Sequence, residues 1–210
     1  MKPSPNLKYT MGFALHICHE INAKKIFYLG ENHNLYDYDF DYSLSFNEES
    51  FGGKNLRFPN WYLYFDWFEE NKKLQEDQWL IPLSYLHNGS PYYSTKKTGF
   101  CSIVYSKPFI ERETYTNLIS KYKEVEIYGS LPGFRKIGLG QKAKLDELSK
   151  YKFSLAMENT ILSGYHTEKL LQAKLGGTIP LYFGSDTVNL DFNKESFIHE
   201  LEVNELYFIF

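Results

Sequence analysis

The run from Tyr151 to Ser185, YKFSLAMENTILSGYHTEKLLQAKLGGTIPLYFGS, restricts this 210-residue chain more than any other part of it. A short apolar strand leads into Glu158-Asn159. A glycine-aromatic turn at Gly164-Tyr165 follows, then the pair Glu168-Lys169 at the start of a helical stretch. A double-glycine stop and a second apolar strand close the run. Strand, turn, helix N-terminus and strand in that order build an anion site at the edge of a parallel sheet, of the kind that holds a charged nucleotide.

Gly164 lets the chain turn, and Thr167 is placed to cap the helix that begins at Glu168. Glu168 and Lys169 then lie in the first turn, where free N–H groups and the helix dipole favour anions. A lysine there opposes the dipole. A bound diphosphate would resolve the conflict, since one Lys–phosphate pair at ~4 Å and an effective dielectric of ~20 is worth about 4 kcal/mol before desolvation. The competing reading is a solvated lysine on an exposed turn. Glu158 and Asn159 end a strand of a parallel sheet, which places them to meet sugar hydroxyls, or equally to serve as cap or turn residues.

Elsewhere, Lys25–Leu29 reads as a buried strand ending in Gly30-Glu31-Asn32, and Tyr42–Phe46 as an alternating strand. Leu56-Arg57-Phe58-Pro59 leads into an aromatic block, Trp61–Phe68, and the charged segment up to Gln78 reads as helical. Leu86–Thr98 has the composition of a linker. Beyond it the pattern predicts strands over Phe100–Tyr105, Val125–Tyr128, Phe153–Met157 and Thr178–Phe183. Helices are predicted over Phe109–Tyr122, Lys142–Tyr151 and Glu168–Leu175. Strands alternating with helices after residue 98 point to a parallel sheet covered on its faces.

Composition excludes more than it proposes. A net charge of −3 gives no general affinity for nucleic acid or anionic membrane. No apolar run reaches the ~18–20 residues of a membrane span. The 18 Tyr and 17 Phe suit stacking on sugars, although biased base composition, with Lys, Asn and Ile also abundant, is the simpler account of them. Cys18 and Cys101 read as buried thiols. Asp37, Asp39, Asp41 and Glu48 sit at calcium-loop spacing, but Tyr42 occupies the position where such a loop needs glycine. The same aspartates lie too far along the chain from the anion site to form a diphosphate-binding Asp-x-Asp metal site. His16, Cys18 and His19 lack further ligands at zinc spacing. Gly138-x-Gly140 is a lone GxG and indicates only a loop.

The run after residue 150 resembles the signature of the family 10 glycosyltransferases, the α-1,3/1,4-fucosyltransferases. Tyr151-Lys152-Phe153, Met157-Glu158-Asn159, Gly164-Tyr165-His166-Thr167-Glu168-Lys169 and Thr178-Ile179-Pro180 through Gly184-Ser185 follow its order, and Asp191-Phe192-Asn193 with Ser196-Phe197 extends it. Phe27-Tyr28-x-Gly30-Glu31-Asn32, Asp41–Phe46, Leu56-Arg57-x-Pro59 and Phe100–Tyr105 with Arg112 carry the resemblance back to about residue 25.

The resemblance implies an α/β, GT-B-like fold of two Rossmann-like domains facing a cleft. A partial acceptor-side domain would span 1–95, truncated at its N-terminus, and a GDP-fucose-binding donor domain 96–210, incomplete at its C-terminus. It implies inverting transfer of L-fucose from GDP-β-L-fucose to a GlcNAc or glucose hydroxyl of an oligosaccharide or glycoconjugate. Glu31 would be the general base. Arg112 and Lys169 would neutralise the leaving diphosphate in place of a metal, with no cofactor required and a divalent ion at most stimulatory. Glu168 would hold the fucose and support its developing positive charge, while Glu158, Asn159 and Tyr165 would seat the donor. His166 stands where a β-branched apolar residue is usual, which would place a second polar group near the diphosphate and alter the pH dependence. Met157 and Phe183 replace aromatic residues of the pattern. The resemblance implies the Golgi and its membrane for a eukaryotic chain, and the cytoplasm or a membrane periphery for a bacterial or viral one. The alternatives are a shortened relative that binds a nucleotide sugar or glycan without transfer, and a GT-B transferase using another sugar nucleotide.

Overall fold

A computed structural model describes residues 24–68, 73–76 and 78–199. The first part of the chain forms a parallel sheet of β1 (Ile26–Leu29), β2 (Tyr42–Ser45) and β3 (Asn55–Arg57), in that order. Alternation along the strands sends Leu29 to a buried cluster with Leu35, Phe46 and Tyr165. Ile26, Tyr28, Tyr42 and Leu56 remain exposed on the other face. β1 is therefore buried on one side only, where its run of apolar residues predicts burial on both.

The chain between the sheets departs most from its predicted elements. The aromatic block splits into a 3-10 helix, Asn60–Tyr64, and a two-residue strand, β4 (Phe65–Asp66), paired in parallel with β5 (Ile81–Pro82). The predicted helix up to Gln78 lies partly outside the described residues. Those that are described, 73–76 and 78, are not helical, and Gln78 gives its carbonyl to the backbone N–H of Gln141. The predicted linker is packed rather than loose. After the single turn α1 (Ser84–His87), the Ser90 hydroxyl donates to the Leu175 carbonyl, Tyr92 to Asp146 at 2.8 Å, and Lys97 to the Ser149 carbonyl at 2.8 Å. Its polar composition serves long-range hydrogen bonds, which local composition does not reveal.

The second sheet has the order β10-β9-β8-β6-β7 and is parallel throughout. Its strands are β6 (Gly99–Val104), β7 (Val125–Tyr128), β8 (Tyr151–Met157), β9 (Ile179–Phe183) and β10 (Ile198–His199). Tyr115 and Ile119 of α2 (Ile110–Ser120) cover one face, against Cys101, Ile103, Leu155 and Leu181. Leu145 of α3 (Gly140–Leu148) and Leu170 and Leu171 of α4 (Glu168–Leu175) cover the other, with Ala156 and Tyr182. Phe65 and Ile81 join this second core, so chain from before residue 96 is built into it. α3 stops at Leu148 rather than running to Tyr151, whose ring hydroxyl bonds Tyr128 at 2.7 Å at the start of β8.

The loop before α4 joins the two sheets. Gly164 has φ +75°, and a Cβ there would stand 2.2 Å from the Phe46 carbonyl oxygen at the end of β2. Both the dihedral and the close approach require glycine. Gly164→Ala is expected to lower the unfolding free energy by about 2–3 kcal/mol, measured by urea denaturation. A loss below about 0.5 kcal/mol would show that the loop reseats without this contact.

Candidate active site

The strand order creates the crevice. From β6 the chain passes through α2 to β7 on one side, then returns through α3 to β8 on the other side of β6. Segments leaving the carboxyl ends of β6 and β8 therefore diverge, and ligands of open α/β sheets bind where they part. Arg112 lies in the first turn of α2, and Glu158 and Asn159 directly follow β8.

Glu158 is almost completely buried. One carboxylate oxygen accepts the Thr167 backbone N–H at 2.8 Å. The other accepts the Thr167 hydroxyl at 2.6 Å and the Lys169 ammonium at 3.1 Å. Thr167 occupies the N-cap position of α4, yet its side chain makes no cap hydrogen bond. Its hydroxyl proton goes to Glu158, and its oxygen accepts Lys169 at 2.8 Å, which corrects the expected capping role. A carboxylate is a stronger acceptor for that proton than a backbone group, and the Lys169 ammonium a stronger donor than a helix N–H. Lys169 is thus no solvated surface lysine. Two acids meet its charge: Glu158, and Glu168 at 3.6 Å. Burial pulls its pKa down, but the two carboxylates outweigh burial and raise it to about 12.

Glu168 is also held ionised. Burial pushes its pKa up, but Lys169 and Lys144 outweigh that effect and hold it at about 2. Lys144, from α3, stands 4.0 Å from the same Glu168 oxygen that Lys169 approaches. Tyr64 reaches this carboxylate from the aromatic block, and burial together with Glu168 pushes its phenol well above the usual range. Sequence reasoning missed Lys144 and Tyr64, because each comes from a separate element with no local signature.

Arg112 is buried, with its guanidinium 5.3 Å from the centre of the Tyr105 ring. It donates to the carbonyls of Lys107 and Met157 at 3.0 and 3.1 Å and to Asn159 Oδ1 at 2.6 Å. Among the described residues no carboxylate lies within ion-pair distance of it, and burial lowers its pKa against the more distant pull of Glu158. Three basic groups, Arg112, Lys144 and Lys169, therefore share one region with two carboxylates, Glu158 and Glu168, although burial pulls the Lys144 pKa down against the pull of Glu168. A surplus of basic over acidic groups of this kind favours a bound anion.

Glu31 stands apart from this group, exposed just after β1 on the first sheet. Tyr165 bridges the distance. Its ring packs edge-on against Phe46 at 5.0 Å in the first sheet's cluster. Burial raises its phenol to about 12, with Lys169 opposing and Glu158, Glu31 and Glu168 adding to the rise. The structure so brings Arg112, Glu158, Asn159, Glu168 and Lys169 together, with Tyr165 between them and Glu31.

His166 does not add a free polar group to this cluster. Its ring is buried, with Nδ1 2.5 Å from Asp191 Oδ2. Arg57 of β3 donates two hydrogen bonds to the same carboxylate, at 2.8 and 2.9 Å. Asp39 and Asp41 pair with Lys25 and Lys24. Among the described residues no group of three or more His, Cys, Asp or Glu side chains is placed to hold a metal, and no helix is long and apolar enough to cross a membrane. His16, Cys18 and His19 lie outside the described residues, and Cys101 is a buried free thiol.

The family model for the glycosyltransferase family 10 (fucosyltransferase) C-terminal domain matches residues 93–206, and that for the α-(1,3)-fucosyltransferase FucT N-terminal domain matches residues 4–64. This chain belongs to glycosyltransferase family 10. It is 32% identical to α-(1,3)-fucosyltransferase FucT of Helicobacter pylori, over 90% of this chain and 43% of that protein. It is 33% identical to the putative fucosyltransferase R654 of Acanthamoeba polyphaga mimivirus, over 51% of this chain and 20% of that one. A crystal structure of an α1,3-fucosyltransferase superposes with a TM-score of 0.65 at 29% identity, covering 90% of this chain and 62% of the other. A GDP-fucose complex superposes with 0.62 at 30% identity, covering 85% and 58%. The α/β, GT-B-like fold expected from the sequence is thereby shown, and this family 10 chain spans less than half the length of the H. pylori relative.

Asp191 makes a pH signature. Burial pushes its pKa up, but His166 and Arg57 outweigh burial and hold it at about 2. A carboxyl depressed below its unfolded value of about 4 adds stability above that pH, and the contribution disappears as the pH falls toward the folded value. Asp191→Asn is expected to cost on the order of 1–2 kcal/mol at pH 7, with the deficit shrinking between about pH 4 and pH 2. Thermal melts across that range read the effect, and a deficit independent of pH would contradict the assignment.

Proposed function

We propose that this family 10 chain transfers L-fucose from GDP-β-L-fucose to a hydroxyl of an oligosaccharide, as an inverting α-1,3-fucosyltransferase. The observation that carries this reading is the buried basic cluster of Arg112, Lys144 and Lys169 at the β6–β8 crevice, in a family whose solved members include GDP and GDP-fucose complexes. In the reaction Glu31 takes the proton of the acceptor hydroxyl while its oxygen bonds to the fucose anomeric carbon. The bond from that carbon to the β-phosphate oxygen breaks, and GDP leaves on the opposite side. One displacement inverts the β-linked donor to an α-fucoside. In this scheme Arg112 and Lys169 stabilise the negative charge that grows on the diphosphate, and stabilising charge as it develops is usually the largest part of such catalysis.

The exposed Glu31 suits a group that must meet an incoming acceptor. Glu168, held ionised between two lysines, supports positive charge on the fucose ring. Glu158 acts from within the protein, by fixing Thr167 and Lys169. Asn159 orients Arg112, and Tyr165 locks the loop against the first sheet. No metal or cofactor is required in this scheme, because the side chains supply the positive charge.

The test is product formation from GDP-fucose and a panel of N-acetyllactosamine-type acceptors, followed by mass spectrometry. Fucosylated product is expected, Lys169→Ala should lower kcat by roughly 10²–10³, and Glu31→Gln should nearly abolish transfer with donor binding retained. GDP binding without product would favour a non-catalytic binder, and product from UDP- or ADP-sugars alone would assign a different donor.

A further inference from the structure

The His166–Asp191–Arg57 chain takes no part in the chemistry proposed above, yet it is built as a functional element is built. Arg57 and His166 meet on the one carboxylate of Asp191. The Asp191 side chain is buried, accepts two hydrogen bonds from Arg57 and meets His166 Nδ1, so that nitrogen carries the proton. On the other side of the ring, His166 Nε2 lies 3.4 Å from the Thr187 hydroxyl. That hydroxyl in turn accepts the Gly164 backbone N–H at 2.8 Å and bonds Ser185 at 2.8 Å. Ser163 donates to Glu48 at 2.6 Å, a second polar tie to the first sheet's side of the molecule. Residues 163–166 are thus held from two directions, by the segment following β9 and by the first sheet. The next residue, Thr167, makes two of the three hydrogen bonds to Glu158.

We propose that His166 is a positioning residue. Through Asp191 and Arg57 it ties the loop bearing Thr167, Glu168 and Lys169 to the first sheet, so that the donor-side geometry holds only while the two sheets are packed together. The importance of the chain is physical. A buried carboxylate needs its lone pairs filled, and an apolar side chain at position 166 removes one donor from Asp191. The loop then keeps its van der Waals volume but loses the polar tie that orients it. Asparagine differs, because its amide nitrogen falls near the place of imidazole Nδ1 and can still donate to Asp191.

The proposal rests on the reading of this crevice as a nucleotide-sugar site, and its experiment separates the two. Amide hydrogen exchange is measured for the parent chain, His166→Val, His166→Asn and Arg57→Gln, and GDP affinity is measured on the same samples by calorimetry. His166→Val and Arg57→Gln are each expected to speed exchange across residues 163–168 by roughly tenfold, with β6 and β7 unchanged. His166→Asn should stay within about twofold of the parent. GDP affinity should fall by about 3–10-fold in the two disrupting variants and be restored in His166→Asn. Unchanged loop exchange in His166→Val and Arg57→Gln would overturn the proposal. So would acceleration spread evenly through the second sheet, which marks general destabilisation, or faster loop exchange with GDP affinity intact. A parent chain that binds no GDP would count against the nucleotide-sugar reading, while the exchange data would still decide whether the tie exists.

Discussion

A carboxylate buried at the carboxyl end of β8 sets the arrangement of everything around it. Glu158 is removed from water, and such a group is tolerated only when its oxygens are filled by donors and its charge is met by a cation. Thr167 supplies an N–H and an O–H, and Lys169 supplies the charge. Those bonds fix the start of α4 relative to β8, which in turn fixes Glu168 beside Lys144. A lysine in the first turn of a helix opposes the dipole, and the sequence alone invites a bound phosphate as the remedy. The protein has its own remedy in Glu158, which leaves Lys169 charged and aimed before any ligand arrives. Preorganisation of that kind spares a site the cost of ordering its side chains when an anion binds.

The same loop reaches into the first sheet. Tyr165 fills that sheet's core against Phe46, Gly164 passes too close to the Phe46 carbonyl for any side chain, and Asp191 joins His166 to Arg57. The two sheets are thus joined through packing and ion pairs rather than through the peptide chain alone. Part of the aromatic content that invites a sugar-stacking reading is used here, as interior packing: Phe65 and Tyr182 belong to one buried cluster, Phe46 and Tyr165 to another.

The second sheet was legible because its signals are local. The helix Glu168–Leu175 and the strand Val125–Tyr128 match their predicted bounds. Elements whose shape depends on distant partners were not legible. The segment at Leu86–Thr98 has linker composition, but Ser90 and Tyr92 find acceptors on α4 and α3. Most residues of the site were visible as a cluster of acids, bases and glycine, yet the use made of Thr167 and His166 was not. Both side chains turn to a carboxylate, Glu158 or Asp191, that only the folded chain brings within reach. Lys144 and Tyr64 carry no motif of their own, and only packing reveals them.

Calorimetric titration of GDP, with a chelator present, into the parent chain and into Glu158→Gln tests most directly whether the buried carboxylate organises a nucleotide site. Glutamine keeps the shape but turns an N–H pair toward Thr167 or Lys169, which are already donors. The account predicts metal-independent binding by the parent and a dissociation constant at least about tenfold higher for the variant. Equal affinity in the two proteins, or no binding of GDP by the parent, would contradict it.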